Sequence, residues 1–168
     1  MKNNKSGFSL VELLIVVVII GIIAAIAVAG LLASRRSANE GSAVSSLRIL
    51  HQAEMTYASS YGTGDYAGDI GGGTLTTFNI FRSLKLVDEV LGSGSKSGYN
   101  FVGGREASSN TAAAQFFISA IPISSDPLMR TGNHRFGIST DGVLRTDLTL
   151  DTHYANTAAV SAAPVMGD

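Results

Sequence analysis

From Phe8 to Leu32 the chain is apolar at nearly every position, with a single charge, Glu12. A run of about 25 residues at 1.5 Å rise makes a helix of about 37 Å, longer than the roughly 30 Å hydrocarbon core of a bilayer. Past Leu32 the pattern becomes amphipathic. At about 100° per residue, Ala43, Leu47, Leu50, Tyr57, Ala58 and Tyr61 fall on one stripe. The chain has no proline before Pro122, so the apolar helix can continue into this segment. The pattern predicts one helix of about fifty residues, lipid-soluble in its first half (8–32) and amphipathic in its second (33–61). Ile49 and Met55 lie off the stripe, either as isolated surface side chains or facing a neighbouring helix. Glu54 sits within the stripe, where it either ends the buried portion or pairs with an arginine.

The helical period stops at GTGDYAGDIGGGTLTT (62–77), read as a glycine-rich loop. This loop lacks the strand–loop–helix context and the Lys-Ser/Thr ending of a phosphate-binding loop. Phe78, Phe81, Leu84 and Val87 or Val90 then repeat at helical spacing, predicting a short helix or two before the turn-rich GSGSKSG at 92–98. Together 62–98 form a connector. From residue 99 onward the runs are β-type: 99–102, 115–123, 135–140 and 143–148. Asp141-Gly142 between two of them is a hairpin signal, expected as a type I′ turn with positive φ at both residues. Pro122 marks an edge strand or a strand terminus. The Ala-rich tail after Thr152 is expected as an irregular last strand or a frayed end. The fold class that follows is α+β: a long N-terminal helix packed by its second half on an antiparallel sheet of three or four strands, with 99–168 as sheet and tail.

Composition narrows the function classes. The chain of 168 residues has 12 basic and 13 acidic side chains, so no basic excess is present to hold nucleic acid. Cysteine is absent, which excludes disulfides and thiolate metal sites. His51, His134 and His153 are far apart in sequence without ligand spacing, and no GxSxG elbow accompanies the many serines. Lys2 and Lys5 precede the apolar run and place the N-terminus in the cytoplasm, leaving the segment after Leu32 outside. An apolar run of this length exceeds the 7 to 15 residues of a secretory signal core. An uncleaved membrane anchor meets the hydrophobicity equally well.

Glu12 needs a reason, because a carboxylate inside such a run costs on the order of 2–3 kcal/mol near the bilayer centre. The segment KSGFSLVELLIVVVIIGIIAAIAV resembles the N-terminus of type IV pilins and of the pseudopilins of type II secretion. The resemblance covers roughly the first forty residues; the rest agrees in layout. It implies that 1–7 is a leader removed by a prepilin peptidase after Gly7, and that the new amine on Phe8 is N-methylated. It also implies that the Glu12 carboxylate pairs with the Phe8 amine of a neighbouring subunit, setting register as helices bundle. Many members of that family carry a proline near the position of Ala29, absent here, so the kink it gives is not expected. Gly30 is a candidate for some bend, while ordinary small-residue packing is the better reading of Gly21 and Gly30.

The implied function is a structural subunit, with no catalysis of its own, of a type IV pilus-type filament. Its partners are copies of itself with or without minor pilins, the prepilin peptidase, an inner-membrane assembly platform and the membrane. Its places are the bacterial inner membrane, then an extracytoplasmic filament: a surface pilus, or a periplasmic pseudopilus. Two alternatives stand beside it: a pseudopilin of a type II secretion system, and a membrane-anchored extracytoplasmic binding module with the helix as tether. The resemblance to major pseudopilins raises calcium as a ligand, with Asp126, Asp141, Asp147 and Asp151 as its oxygen donors. These lack EF-hand spacing, and solvated turn aspartates are the better reading.

Overall fold

The computed structural model describes residues 7–70, 74–127 and 129–167. The expected leader residues 1–6, Gly71–Gly73 of the connector and the last residue of the tail lie outside the described residues. Element order is α1 (Leu10–Ser60), α2 (Thr74–Ser83), a single 3₁₀ turn (Leu91–Ser93), β1 (Ser95–Lys96), β2 (Tyr99–Glu106), β3 (Gln115–Pro122), β4 (Arg135–Ser139), β5 (Leu144–Asp147) and α3 (Thr157–Ser161). The chain divides into two compact units, one ending at Arg35 and the other beginning at Arg36, and α1 contributes to both.

The first unit is the apolar part of α1. Its helix is continuous through Ala29 and Gly30, with no break where a proline would stand. A side chain added at Gly21 or Gly30 would meet nothing within 4 Å, so neither glycine is required by packing within the chain.

The second unit is an α+β layer. Five antiparallel strands follow in the order β1-β2-β3-β4-β5, each paired with its neighbour in sequence. That is one or two strands beyond the three or four expected, because the two-residue β1 gives no pattern to read. Ala43, Leu47, Leu50 and Ala53 of α1 share one core with Phe78 and Phe81 of α2 and with Phe101, Phe116, Ile118, Phe136 and Ile138 of the sheet. The predicted stripe therefore holds at its centre. It fails at its end: Tyr57 and Ala58 are half-buried, Tyr61 is exposed, and Glu54 is the last fully buried residue. Ile49 and Met55 are exposed on this helix.

β3 is buried on both faces. Phe116, Ile118 and Ala120 point into the main core, while Phe117 packs with Tyr154 and Val160 in a second, smaller one. A strand covered on both sides reads as a near-continuous apolar run rather than an alternation, as FFISAIP does. The run ends at Pro122 as a terminus, and the edge-strand reading of that proline is corrected, because β3 is central. β2 runs to Glu106, four residues past the expected Val102, since Gly103 and Gly104 pair with Ile118 and Phe117 despite their poor strand propensity.

Three further expectations are corrected. Residues 74–77, assigned to the loop, begin α2, whose face is completed by buried Thr77. The helix does not reach Leu84: Lys85 adopts φ 56°, and Leu86 N–H bonds Phe81 O at 2.9 Å while Lys85 N–H bonds Arg82 O at 3.1 Å. This is a Schellman stop, built with a lysine where glycine is usual. At the hairpin, Gly142 has φ 71° but Asp141 is not in the left-handed region, so the turn is not type I′. Gly142 N–H bonds Ser139 O at 2.9 Å, and Ile138 pairs with Leu144. The loop is thus a turn followed by a left-handed glycine, the three-residue form.

The tail is neither frayed nor a full strand. Asn156 caps α3 by accepting Ala159 N–H at 2.8 Å, and Val165 then forms an isolated bridge with Arg145. Thr146 N–H to Pro164 O (3.0 Å) and Met166 N–H to Leu144 O (2.9 Å) cover the outer edge of β5. This satisfies backbone groups that an open edge would leave free.

Candidate processing and assembly segment

Gly7, Phe8 and Ser9 precede the first helical residue and are exposed. The Gly7–Phe8 peptide bond lies in this exposed stretch, and a side chain added at Gly7 would meet nothing within 4 Å. Ser9 O accepts the first helical bond, from Leu13 N at 3.2 Å, which makes Ser9 the N-cap residue. Three residues on, Glu12 Oε2 accepts Ser9 N–H at 2.9 Å. This is the glutamate limb of a capping box, Ser-x-x-Glu. In the unprocessed chain Glu12 therefore already turns back toward the residue beside Phe8, and it holds an otherwise orphaned backbone donor at the positive end of the helix.

Around and beyond Glu12, as far as Leu32, the large apolar side chains are packed on nothing among the described residues. Phe8 is 90% exposed, and sixteen further large apolar residues from Leu10 to Leu32 stand exposed on all sides of the helix. The most apolar 18-residue window has a mean hydropathy of 3.2, and none of it is buried. A helix apolar all round is stable only where something apolar surrounds it, either lipid or other helices. By length and composition the helix can cross a membrane.

In the second unit, the polar residues just past the apolar run are engaged rather than solvated. Arg36 Nε and Nη2 donate to Arg130 O (3.3 Å) and Pro127 O (3.4 Å), and Asn39 Nδ2 donates to Thr131 O at 2.9 Å. Glu40 accepts Asn133 N–H at 2.6 Å and lies 3.2 Å from His134 Nδ1. The start of the amphipathic half of α1 thus clamps the loop between β3 and β4. Local sequence pattern carries no sign of this contact, because the partner lies some 90 positions away.

Glu54 is the buried exception in this unit. Its Oε2 accepts Ala67 N–H at 2.9 Å, whereas Oε1 has no hydrogen-bond partner among the described residues. Desolvation pushes its pKa up to about 8, against the smaller lowering effects of the Ala67 hydrogen bond and the Arg105 charge. Arg105 forms its ion pair elsewhere, with Asp65 at 3.3 Å, and donates to Gly68 O at 2.8 Å. Of the two readings of Glu54, the one that ends the buried portion of the stripe holds, and in place of an arginine the carboxyl group takes a hydrogen bond from the 62–70 loop.

The four calcium candidates are not brought together. Asp141 accepts from Ser139 Oγ, Val143 N and Arg145 Nη1 within the hairpin. Asp147 pairs with Arg135 and accepts Tyr154 Oη at 2.9 Å. Asp126 caps the turn at Met129, and Asp151 is exposed. Among the described residues no three His, Cys, Asp or Glu side chains converge as a metal site. The histidines are likewise separate: His51 packs on Phe116, His134 meets Glu40, and His153 Nδ1 lies 3.2 Å from Ser119 Oγ. Ser119 is fully buried and also accepts Tyr154 N–H, a structural role.

Residues 2–28 match the family described as the prokaryotic N-terminal methylation motif, the processing signal of type IV pilin-like and pseudopilin proteins. The match spans Gly7, Phe8, Glu12 and most of the apolar run. No curated protein and no solved structure matches the chain.

Proposed function

We propose that this chain is a structural subunit of a type IV pilus-type filament, stored in the bacterial inner membrane and polymerised through the apolar half of α1. The observation that carries the reading is the junction itself. The methylation motif spans Gly7 and Phe8, which are exposed and directly precede a helix apolar and uncovered on every face. A tether needs the apolar helix but not the junction.

In this reading a prepilin peptidase removes 1–7, and Phe8 becomes an N-methylated amine, still cationic. That amine replaces an amide at the start of α1, one turn from Glu12. In the membrane the carboxylate has its own first turn to bond, as the Ser9 contact illustrates. On assembly the helices exchange lipid for other copies of the same helix, and Glu12 of one copy meets the Phe8 amine of the next. A charge in an apolar medium strongly favours an arrangement that neutralises it, so the pair selects register. Residues 8–32 then form the filament core, 33–61 the amphipathic continuation, and 62–168 the extracytoplasmic part. Minor pilins and an inner-membrane assembly platform complete the partners.

The test separates processing from assembly. Glu12→Ala should leave cleavage intact, with mature mass unchanged apart from the substitution, while the yield of sheared filaments falls at least tenfold, about 1.4 kcal/mol or more of lost subunit pairing. Gly7→Leu should instead leave full-length precursor in the membrane. Normal filament yield from Glu12→Ala would refute the pairing, and an intact Met1 terminus on the wild-type chain in its own host would refute the filament reading in favour of a tether.

A further inference from the structure

We propose that the cleft at the C-terminal end of α1, walled by Tyr57, Tyr61 and Tyr66 and crossed by the Asp65–Arg105 pair, binds a neutral pyranose sugar. The proposal uses the 36–168 unit alone and depends on neither cleavage, membrane insertion nor the filament.

The walls follow from the way α1 ends. Tyr57 and Tyr61 stand one helical turn apart, with ring centroids 6.2 Å apart and planes 26° from parallel. Tyr57 O accepts the N–H groups of both Tyr61 and Gly62 at 2.8 Å, and Gly64 N–H reaches back to Ala58 O at 3.0 Å. Asp65 N–H then bonds Gly62 O at 2.9 Å. These bonds wrap the chain over the last turn and bring Asp65 and Tyr66 to the same cleft as the two rings. A Cβ at Gly62 would strike Asp65 O and lie 3.0 Å from the Tyr57 ring, so the wrap has room for no side chain there.

The sheet fixes the other side. Tyr66 tilts on Phe116 of the main core, ring centroids 4.7 Å apart. Arg105 of β2 bonds Asp69 O through its main-chain N–H at 3.2 Å and Gly68 O through Nε at 2.8 Å, and its Nη1 lies 3.3 Å from Asp65 Oδ2. Groups held in place before a ligand arrives lose little entropy on binding it. The cleft has a volume of about 370 Å³, at the small end of the range for ligand sites. It opens where Tyr61 stands, a side chain 54% exposed.

Charge narrows the ligand class. Asp65 and Arg105 are the charged residues that line the cleft, and they neutralise one another. Nearby Glu54 is fully buried and Asp69 exposed, and neither lines it. An anion would face Asp65 and an organic cation would face Arg105, so the site favours neither. What remains is hydrogen-bonding capacity of both signs. The three phenol hydroxyls, Arg105 Nη2 and Asp65 Oδ1 have no partner among the described residues: donors, an acceptor, and hydroxyls that serve as either. A pyranose matches this set, with hydroxyls around its rim that donate and accept and a C–H face that lies flat on an aromatic ring. Bonds to the two charged groups are about twice as strong as neutral ones, which favours a ligand rich in hydroxyls over an apolar one.

A single ring in so small a site is expected to bind with a Kd on the order of 1 mM. The isotope-labelled full chain, in an amine-oxide detergent that carries no sugar headgroup, would be titrated by NMR to about ten times that concentration. The probes are methyl glucoside, methyl galactoside, N-acetylglucosamine, maltotriose and chitotriose, with sodium phosphate and choline chloride as ionic controls. At least one sugar should shift the amides of Asp65, Tyr66, Gly68 and Arg105 saturably while those of β4 stay in place. A trisaccharide that binds tighter than its monosaccharide supports the proposal with a chain as the source, and equal binding supports it with a single ring. Tyr61→Ala, at an exposed position outside the core, should weaken binding about fivefold, and Tyr61→Phe should retain most of it. No saturable shift with any sugar overturns the proposal, as do shifts from phosphate or choline alone. Sugar binding unchanged in Tyr61→Ala overturns the placement of the ligand in this cleft.

Discussion

Glu54 shows how one buried side chain contributes to the pH response of the 36–168 unit. It is fully buried, keeps a single hydrogen bond from Ala67 N–H, and has its pKa pushed up to about 8 by desolvation. In the unfolded chain the same carboxyl titrates near the ordinary glutamate value, about 4.3. Between these values the folded state holds the proton and the unfolded state does not, so stability is greatest below the lower value and is lost as pH rises toward 8. His153 works in the opposite sense. Burial, aided by the Arg135 charge, depresses its pKa to about 4, so its contribution is lost as pH falls from about 6.5 to 4. Urea melts of the full chain in detergent should therefore show a midpoint for the 36–168 unit that falls from pH 6.5 to 8.5. Glu54→Gln should flatten that limb, by a few kcal/mol at its alkaline end. An unchanged slope in the variant would show that Glu54 is ionised in the fold.

At the scale of elements, the C-terminal segment is held by one cluster. Arg135 pairs with Asp147, donates to Thr152 O at 2.7 Å and sits 3.8 Å over the Tyr154 ring. Gly137 of β4 leaves the space for this, since a Cβ there would lie 2.8 Å from the Tyr154 ring and 3.2 Å from Val160. Gly137→Val should thus displace the segment around α3, costing about 2–4 kcal/mol as the second core opens. Hydrogen exchange should rise in 152–163 and β3 while α1 stays protected, and uniform loss of protection would mean the tail is no separate layer. These contacts also explain what was legible beforehand. The α1 stripe at Ala43, Leu47 and Leu50 follows from its period, and β3 from the unbroken apolar run of a strand covered on both faces. The tail, the two-residue β1 and the extension of β2 through Gly103-Gly104 follow from distant partners, which local pattern does not carry. The Asp141-Gly142 signal gave the hairpin but not its turn type, because Asp141 spends its side chain on Ser139, Val143 and Arg145. In the N-terminal segment the methylation motif was legible because Gly7, Phe8, Glu12 and the start of the apolar run lie within one short stretch. The Glu12–Ser9 capping bond has its own local signal, Ser-x-x-Glu ahead of an apolar run.

For the whole molecule, the two units differ in what they need from their surroundings. The Arg36–Asp168 unit contains both cores, all five strands and the buried stripe of α1. Seventeen exposed large apolar side chains from Phe8 to Leu32 lie in the other unit, which buries none of them. Each gains on the order of 1.5–3 kcal/mol when buried in lipid or against another helix, a large summed drive out of water. The full chain should therefore leave solution for detergent, lipid or copies of itself. A fragment beginning at Arg36 should stay in solution as a folded monomer. It keeps 25 residues of α1, whose stability comes from the stripe packed on the sheet rather than from the apolar half. Sedimentation of the fragment should give a monomer, with strand amides protected as in the detergent-solubilised chain. Cutting at Arg36 rather than further on matters, because Arg36, Asn39 and Glu40 hold the β3–β4 loop. A fragment beginning at Gly41 should expose amides of 124–134 first. A fragment from Arg36 that aggregates or melts without cooperativity would show that the apolar half of α1 is part of the fold and not only of its assembly.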